Sequence, residues 1–252
     1  MSTTEPNKPA ESRLDERAEI VRARFAPAAE HFAARAVEQA PLVATRAARL
    51  LEPLAGNERA LDAGTGAGTL AMALAGLVGE VVGCDIVFEM LEAARELSRG
   101  SSNLSFVEGD ILALPFESAS FDIAGTLRTL HHLEFPERAL PELVRVTKRN
   151  GRLLVIDQIA PVDSVRALEI DRFERARDPS HVRTFADREM RGLFERSGLA
   201  LVRHEIVSEE RDLENFLDGA GCEGAERERL RELAPGPVFT IELGWYMLER
   251  RS

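Results

Sequence analysis

The sequence predicts an α/β fold. It reads as a doubly wound, seven-stranded, mostly parallel sheet with an antiparallel last strand, N-terminal helices before it and lid helices inserted late in the chain. Three observations predict this. Strand and helix signals alternate from residue 59 to residue 159, the pattern of parallel βαβ units. Leu153-Leu154-Val155-Ile156 is continuously apolar, as expected of a strand buried on both faces. The loop Gly64-Thr65-Gly66-Ala67-Gly68 falls between the first strand and first helix of the alternation.

The elements follow in order. Residues 1–19 mix Pro, Lys, Arg, Glu and Asp with no apolar core segment. They are read as a disordered tail and not as a signal peptide, leaving 20–252 as a single domain. Helical periodicity runs from about residue 14 to 39 with a break at Pro27, and a second helix is expected over 42–54. Strands follow at 59–62, 80–85, 104–108, 121–126 and 151–159, with helices at 69–77, 88–98 and 136–147 between them. After Pro161 the pattern changes. Helices are expected at 162–177, 187–196, 212–218 and 225–233, and strands at 199–207 and 238–248. Gly198 is a left-handed helix stop. Segments 160–190 and 208–235 are expected to be substrate-lid elements.

Composition narrows the function classes. The formal net charge is -11 among 252 residues. An acidic surface repels phosphate backbones, so nucleic acid is not the expected partner. The longest apolar stretch, 70–78, is too short to span a bilayer, so no membrane insertion is expected. Two cysteines, Cys84 and Cys222, make no disulfide framework and suit a reducing cytoplasm. The expected partner is a small-molecule substrate. A homodimer stays open.

The glycine loop follows a strand and opens a helix, where positive φ and close approach of a ligand to the backbone are needed. A dinucleotide site would place a third glycine at position 69, which is Thr69. A P-loop would carry Lys-Ser/Thr, and no basic residue lies between Asp62 and Gly83. Asp85, ending the second strand, can accept both ribose hydroxyl hydrogens. Asp110, ending the third, can accept adenine amino hydrogens. Together these fit S-adenosylmethionine.

At this point the sequence resembles a known family. The segments Leu61-Asp62-Ala63-Gly64-Thr65-Gly66-Ala67-Gly68, Cys84-Asp85-Ile86 with Glu89-Met90-Leu91, and Glu108-Gly109-Asp110 resemble the successive cofactor motifs of class I methyltransferases. Leu114-Pro115-Phe116, Ser120-Phe121-Asp122, Leu130-His131-His132 and 144–151 continue the likeness, with Arg152 where a second glycine is common. The closest flavour is the ubiquinone/menaquinone methyltransferase-like, small-molecule branch, to which residues 177–183 are also similar.

The resemblance implies a Rossmann-like sheet. It also implies that Gly64, Gly66 and Gly68 meet the amino-acid end of S-adenosylmethionine. Asp85 with Ile86 would lie at the ribose, Asp110 with Ile111 at the adenine, Leu127 by the sulfonium and Phe25 over the pocket. Phe32 replaces a frequent tyrosine, which removes a hydroxyl contact.

His181 and His132 are the candidate catalytic bases, since an imidazole can take a proton near neutral pH. The alternatives are a solvated loop for His181 and helix capping or packing for His131 and His132. His31 and His204 are read as surface or partial-core residues, and Asp122 as structural. Alternating charges at 167–191 read as a solvated helix face, unless Arg172 or Arg183 turns inward to hold a carboxylate. No metal is expected, because no Asp/Asn cluster follows the fourth strand. The functional expectation is methyl transfer to O, C or N of a small molecule. The alternatives are a protein methyltransferase and a non-catalytic cofactor-binding regulator or assembly partner.

Overall fold

The computed structural model describes residues 10–218 and 221–251. Its sheet runs in the order β3-β2-β1-β4-β5-β8-β7. The strands are β1 (Arg59–Ala63), β2 (Glu80–Asp85), β3 (Leu104–Glu108), β4 (Phe121–Leu127), β5 (Thr147–Ala160), β7 (Leu199–Asp212) and β8 (Val238–Arg250). Strands β1 to β5 pair in parallel, and β8 is antiparallel to both β5 and β7. One strand was not foreseen. The two-residue β6 (Phe185–Ala186) pairs with the end of β5, a length below any periodicity signal.

The central strands alternate their side chains between two cores. Leu61, Ala124, Leu153 and Val155 face a core shared with α5 (Pro136–Val146) and α7 (Asp187–Arg196). Ala60, Ile123, Leu154 and Ile156 face the other, shared with α2 (Ala29–Leu51) and α3 (Thr69–Ala75). With helices on both faces, neither side of a central strand meets water, so the strand sequence is apolar throughout.

Two N-terminal expectations are corrected. The chain is helical from Ala10 to Phe25 in α1, so the second half of the supposed tail is ordered; its first nine residues lie outside the described residues. The helix is anchored by its arginines. Arg17 donates to the carbonyls of His132, Pro179 and Ser180, and Arg22 to that of Ile86. The gap expected between 39 and 42 is also absent. Helix α2 continues through Pro41, because Ala36, Ala40, Val43, Ala47, Leu50 and Leu51 form one buried stripe across it. That burial outweighs the roughly 3 kcal/mol an internal proline costs.

The late helices α6 (Ser164–Arg177), α8 (Leu213–Asp218) and α9 (Gly224–Leu233) enclose a small core of their own. Phe173, Leu217, Cys222, Leu230, Phe239 and Ile241 meet there. The strand order reverses between β1 and β4, and the crevice at the carboxyl ends of these two strands is where doubly wound folds take ligands. Among the described residues, no helix is long and apolar enough to cross a membrane.

Candidate active site

Asp62, inside β1, organises the glycine loop. Its Oδ2 accepts from Thr65 Oγ1 at 2.6 Å and from the Ala71 amide at 2.9 Å. Its Oδ1 is buried without a partner. Burial, with the nearby Asp85 charge adding to it, pushes this carboxyl up to about 7, although the Thr65 and Ala71 bonds oppose the shift. Gly64, Gly66 and Gly68 sit at φ +72°, +52° and +88°. At Gly64 a Cβ would lie 2.5 Å from Thr129 Oγ1, so glycine is required on space as well as on φ.

The second strand ends in a carboxylate beside this loop, and a further carboxylate follows two residues after the third. Asp85 accepts from the Gly66 amide at 2.7 Å and the Val87 amide at 2.9 Å, which fixes it against the loop with lone pairs to spare. Asp110 accepts from the Leu112 amide at 2.8 Å. Both line a cavity of about 200 Å³. Gly64, Gly66, Ile86, Ile111, Leu127 and Phe25 line it as well, so eight of the nine expected cofactor positions meet at one place. The ninth, Gly68, lies beneath the loop, where a Cβ would stand 3.3 Å from Ala94 Cβ and 3.4 Å from the Phe106 ring. The donor set suits an adenosine bearing an amino-acid tail: backbone amides and glycines for the tail, and carboxylates for the hydroxyls and the amino group.

The two candidate bases part company. His132 lines the cavity and His181 does not. His181 is 7 % exposed, with its Nε2 3.3 Å from Asp171 Oδ1 and 3.5 Å from Thr184 Oγ1. Its ring lies 5.4 Å from that of His131. It is neither the solvated loop residue nor the cavity-facing base that the sequence left open. Its buried ring belongs to the layer behind the cavity.

His132 is oriented by that layer. Its Nδ1 lies 3.1 Å from the Ser180 carbonyl and 3.0 Å from Ser180 Oγ. Ser180 Oγ in turn donates to Asp178 Oδ1 at 2.5 Å. A carbonyl can only accept, so Nδ1 carries the proton and the Nε2 lone pair is free. Burial pushes the His132 pKa well below the usual imidazole range, and the charge on His131 lowers it further. His131 behaves in the opposite sense. Burial works against its charge, but Asp157, whose Oδ1 lies 2.5 Å from Nδ1, outweighs that and raises its pKa. Asp157 is fully buried and also accepts from the Leu130 amide at 2.7 Å. Two adjacent histidines are thus shifted in opposite directions, the one behind toward its charged form and the one at the cavity toward its neutral form. Asp178 and Ser180 lie in the segment 177–183 that resembles the small-molecule branch, but the resemblance gives them no role, and Asp157 lies in no such segment. Only the buried charge balance of the folded chain reveals them.

Among the described residues, segments 160–190 and 208–235 supply none to the cavity lining. They back it instead, through Ser180 and Asp178 from the first, and Glu209 and Arg211 from the second. Arg172 is exposed, and Arg183 pairs with Glu189 at 2.5 Å, so neither arginine expected as an inward exception turns inward. Arg35 and Arg128 line the cavity in their stead. Asp122 is structural, bonded to Lys148 and to the Arg59 amide.

Residues 61–155 match the methyltransferase-domain family. An uncharacterized methyltransferase of Bacillus subtilis, YcgJ, is 38 % identical over 146 residues, which are 57 % of this chain and 58 % of that protein. A demethylmenaquinone methyltransferase of Clavibacter sepedonicus is 35 % identical over 54 % of this chain and 55 % of its own. The match therefore spans little more than half of these relatives. The crystal structure of YcgJ superposes with a TM-score of 0.75 at 26 % identity, covering 85 % of this chain and 99 % of that one. A putative methyltransferase of Bacillus halodurans gives 0.74 at 25 % identity, covering 82 % and 100 %. Residues 61–155 thus carry a methyltransferase domain, and the fold around them is that of class I S-adenosylmethionine-dependent methyltransferases.

Proposed function

We propose that the chain binds S-adenosylmethionine in the cavity and transfers its methyl group to a small-molecule acceptor, with His132 as the base. One observation carries this reading. A single cavity is lined by the glycine loop, by Asp85 and Asp110, and by a neutral imidazole with a free nitrogen.

Methyl transfer is an in-line displacement at a sulfonium. The leaving group is already good, so alignment supplies much of the rate. The chain's contribution is positioning. The glycine loop and the two carboxylates fix the donor, and Leu127 and Thr129 at the end of β4 flank the site beside it. His132 Nε2 takes the proton that an oxygen, nitrogen or acidic carbon loses on methylation. Val21, Phe25 and Phe32 of the N-terminal helices close over the cavity. That enclosure favours a small acceptor over a protein side chain, which would need an open groove.

The test is calorimetry of the full chain with S-adenosylmethionine and S-adenosylhomocysteine. A methyl-labelled donor and mass spectrometry on a panel of hydroxyl, amine and activated-carbon acceptors come next. Binding with turnover is the expected result. Binding without any methylated product would favour the regulatory alternative, and no binding of either nucleoside would refute both.

A further inference from the structure

The layer behind His132 holds a hydroxyl whose proton is already committed. Asp178 follows directly on the last turn of α6, and its side chain folds back over its own loop. Oδ1 accepts from the Ser180 amide at 2.8 Å and from the Ser180 hydroxyl at 2.5 Å, a turn that aspartate makes with the residue two positions on. Oδ2 faces Arg24 at 3.4 Å and Arg177 at 3.9 Å. Burial opposes the charge on Asp178, but Arg177, the Ser180 hydroxyl and Arg24 outweigh it and hold the carboxyl well below the usual range. Asp178 is therefore ionised at neutral pH, and an ionised carboxylate can only accept.

That accounting fixes the hydroxyl. Two oxygens 2.5 Å apart need a proton between them, and Asp178 has none to give. The Ser180 O–H thus points at Asp178, and Oγ turns a lone pair toward His132 Nδ1, 3.0 Å away. The Ser180 carbonyl, 3.1 Å from the same nitrogen, also accepts, and it takes a bond from Arg17 as well. Nδ1 therefore meets two acceptors and no donor. Without Asp178 the accounting changes. A freed hydroxyl at this distance can donate to Nδ1. It then competes with the carbonyl in favour of the opposite tautomer, whose Nε2 carries the proton and has no lone pair. The ring is packed against Phe25, edge to face at 5.2 Å, and against His131 at 4.0 Å. The tautomer, more than the ring orientation, is what a free hydroxyl changes.

We propose that Asp178 is a positioning residue for methyl transfer: by holding the Ser180 hydroxyl proton it keeps His132 Nδ1 protonated and the Nε2 lone pair available at the cavity. Asp178 acts through Ser180 and needs no contact with donor or acceptor. The role rests on the reading of His132 as the base, and it deepens that reading by assigning the control of the base's tautomer. A purely structural Asp178, serving only as the partner of Arg24, predicts lost stability and no change at His132.

The experiment reads the tautomer directly, by NMR of the assigned His132 ring nitrogens in the full chain, without ligand, near neutral pH. Wild type should show Nδ1 protonated and Nε2 bare. Asp178→Asn should bring in the form protonated on Nε2. Ser180→Ala loses the hydroxyl and keeps the carbonyl, so it should stay protonated on Nδ1, and the double variant Asp178→Asn/Ser180→Ala should return to that form. The return separates an effect through the hydroxyl from a loss of charge or structure. Circular dichroism and melting temperature show whether each variant is folded. If Asp178→Asn is not, Asp178→Glu replaces it in the single and the double variant with the same expected direction, since it keeps the charge before Arg24 and displaces the carboxylate from Ser180. The proposal is overturned if wild type carries the proton on Nε2, if the folded Asp178 variant keeps Nδ1 protonated, or if either variant lacking the hydroxyl is protonated on Nε2. With an acceptor from the panel, Asp178→Asn should lower kcat by about tenfold or more and leave the donor KM within about threefold. An unchanged kcat overturns the proposal where His132→Gln is slow. If His132→Gln turns over as fast as wild type, the base reading falls instead, and the two failures are told apart.

Discussion

Gly64→Ala tests the geometry of the loop most directly. At φ +72° an alanine gives up about 1 kcal/mol to left-handed strain. Its Cβ would lie 2.5 Å from both Thr129 Cγ2 and Thr129 Oγ1, and 3.0 Å from Thr129 Cβ. Overpacking of this kind costs about 1–3 kcal/mol, so a total of about 2–4 kcal/mol is expected. For a chain of this length that lowers the melting temperature by roughly 5–15 °C. The Gly64 and Thr65 amides both donate to the Cys84 carbonyl, at 2.8 and 3.0 Å. Displacing Gly64 therefore moves the loop relative to Asp85, and S-adenosylhomocysteine affinity should fall by about tenfold, or ~1.4 kcal/mol. The clash has an identified partner. Thr129→Ala removes the two atoms at 2.5 Å and keeps the one at 3.0 Å, so Gly64→Ala/Thr129→Ala should regain about half of the lost stability. Chemical denaturation of the four species gives the coupling energy. If the two substitutions prove additive, steric conflict with Thr129 is not what excludes a side chain here.

Three further outcomes follow from the buried charges. Asp62 titrates near 7 when folded and near its ordinary value when unfolded. The native state thus holds the extra proton between about pH 4 and 7, and stability from this group declines as pH rises through that window. Asp62→Asn should gain on wild type in unfolding free energy from pH 5 to pH 8, and a constant difference would sink the assignment. Asp157→Asn removes the partner that charges His131, so the His132 pKa should rise toward the usual imidazole value in an NMR titration; a further fall would contradict the split. His181→Ala should lose about 1–3 kcal/mol of stability by emptying a buried, hydrogen-bonded site, while S-adenosylhomocysteine affinity by calorimetry stays within about threefold. A large loss of affinity with a normal melting temperature would place His181 in the cavity after all.

Much of the sheet was legible because its signals are local. The run 153–156 must be apolar on both faces, and Gly64, Asp85 and Asp110 occupy or closely follow strand ends that the alternation alone locates. The N-terminal helices were legible in type and not in extent. Helix α1 depends on contacts of Arg17 with residues 115 and 163 positions away, and no window of sequence holds such information. Pro41 misled for a similar reason, since its cost is local and the burial that offsets it is tertiary. The histidines show the limit most clearly. His132 and His181 are equally polar letters in polar contexts, and only the Ser180 carbonyl against one and the Asp171 carboxylate against the other decide which keeps a free nitrogen at the cavity.

The same contrast shows which elements enclose the cavity. The late helices have their own core around Phe173 and Phe239 and leave the cavity to others. Its cover is α1 and the first turns of α2, which contribute Val21, Phe25, Phe32, Arg35 and Gln39. Helix α1 is mostly polar. Besides Val21 and Phe25, its contacts with the rest of the chain include Arg17 and Arg22 on backbone carbonyls, Arg13 on Glu134 and Phe135, and Arg24 on Asp178. Such contacts are worth about 1–3 kcal/mol each when the donor is charged, so this cover is bound less deeply than a helix buried by an apolar stripe. The carbonyls that Arg17 holds, at His132 and Ser180, belong to the residue proposed as base and to the residue that sets its tautomer. Arg17 therefore ties the position of α1 to the segment that carries His132 and to the residue that orients it. Displacement of α1 would break the Arg17 contacts with both residues at once.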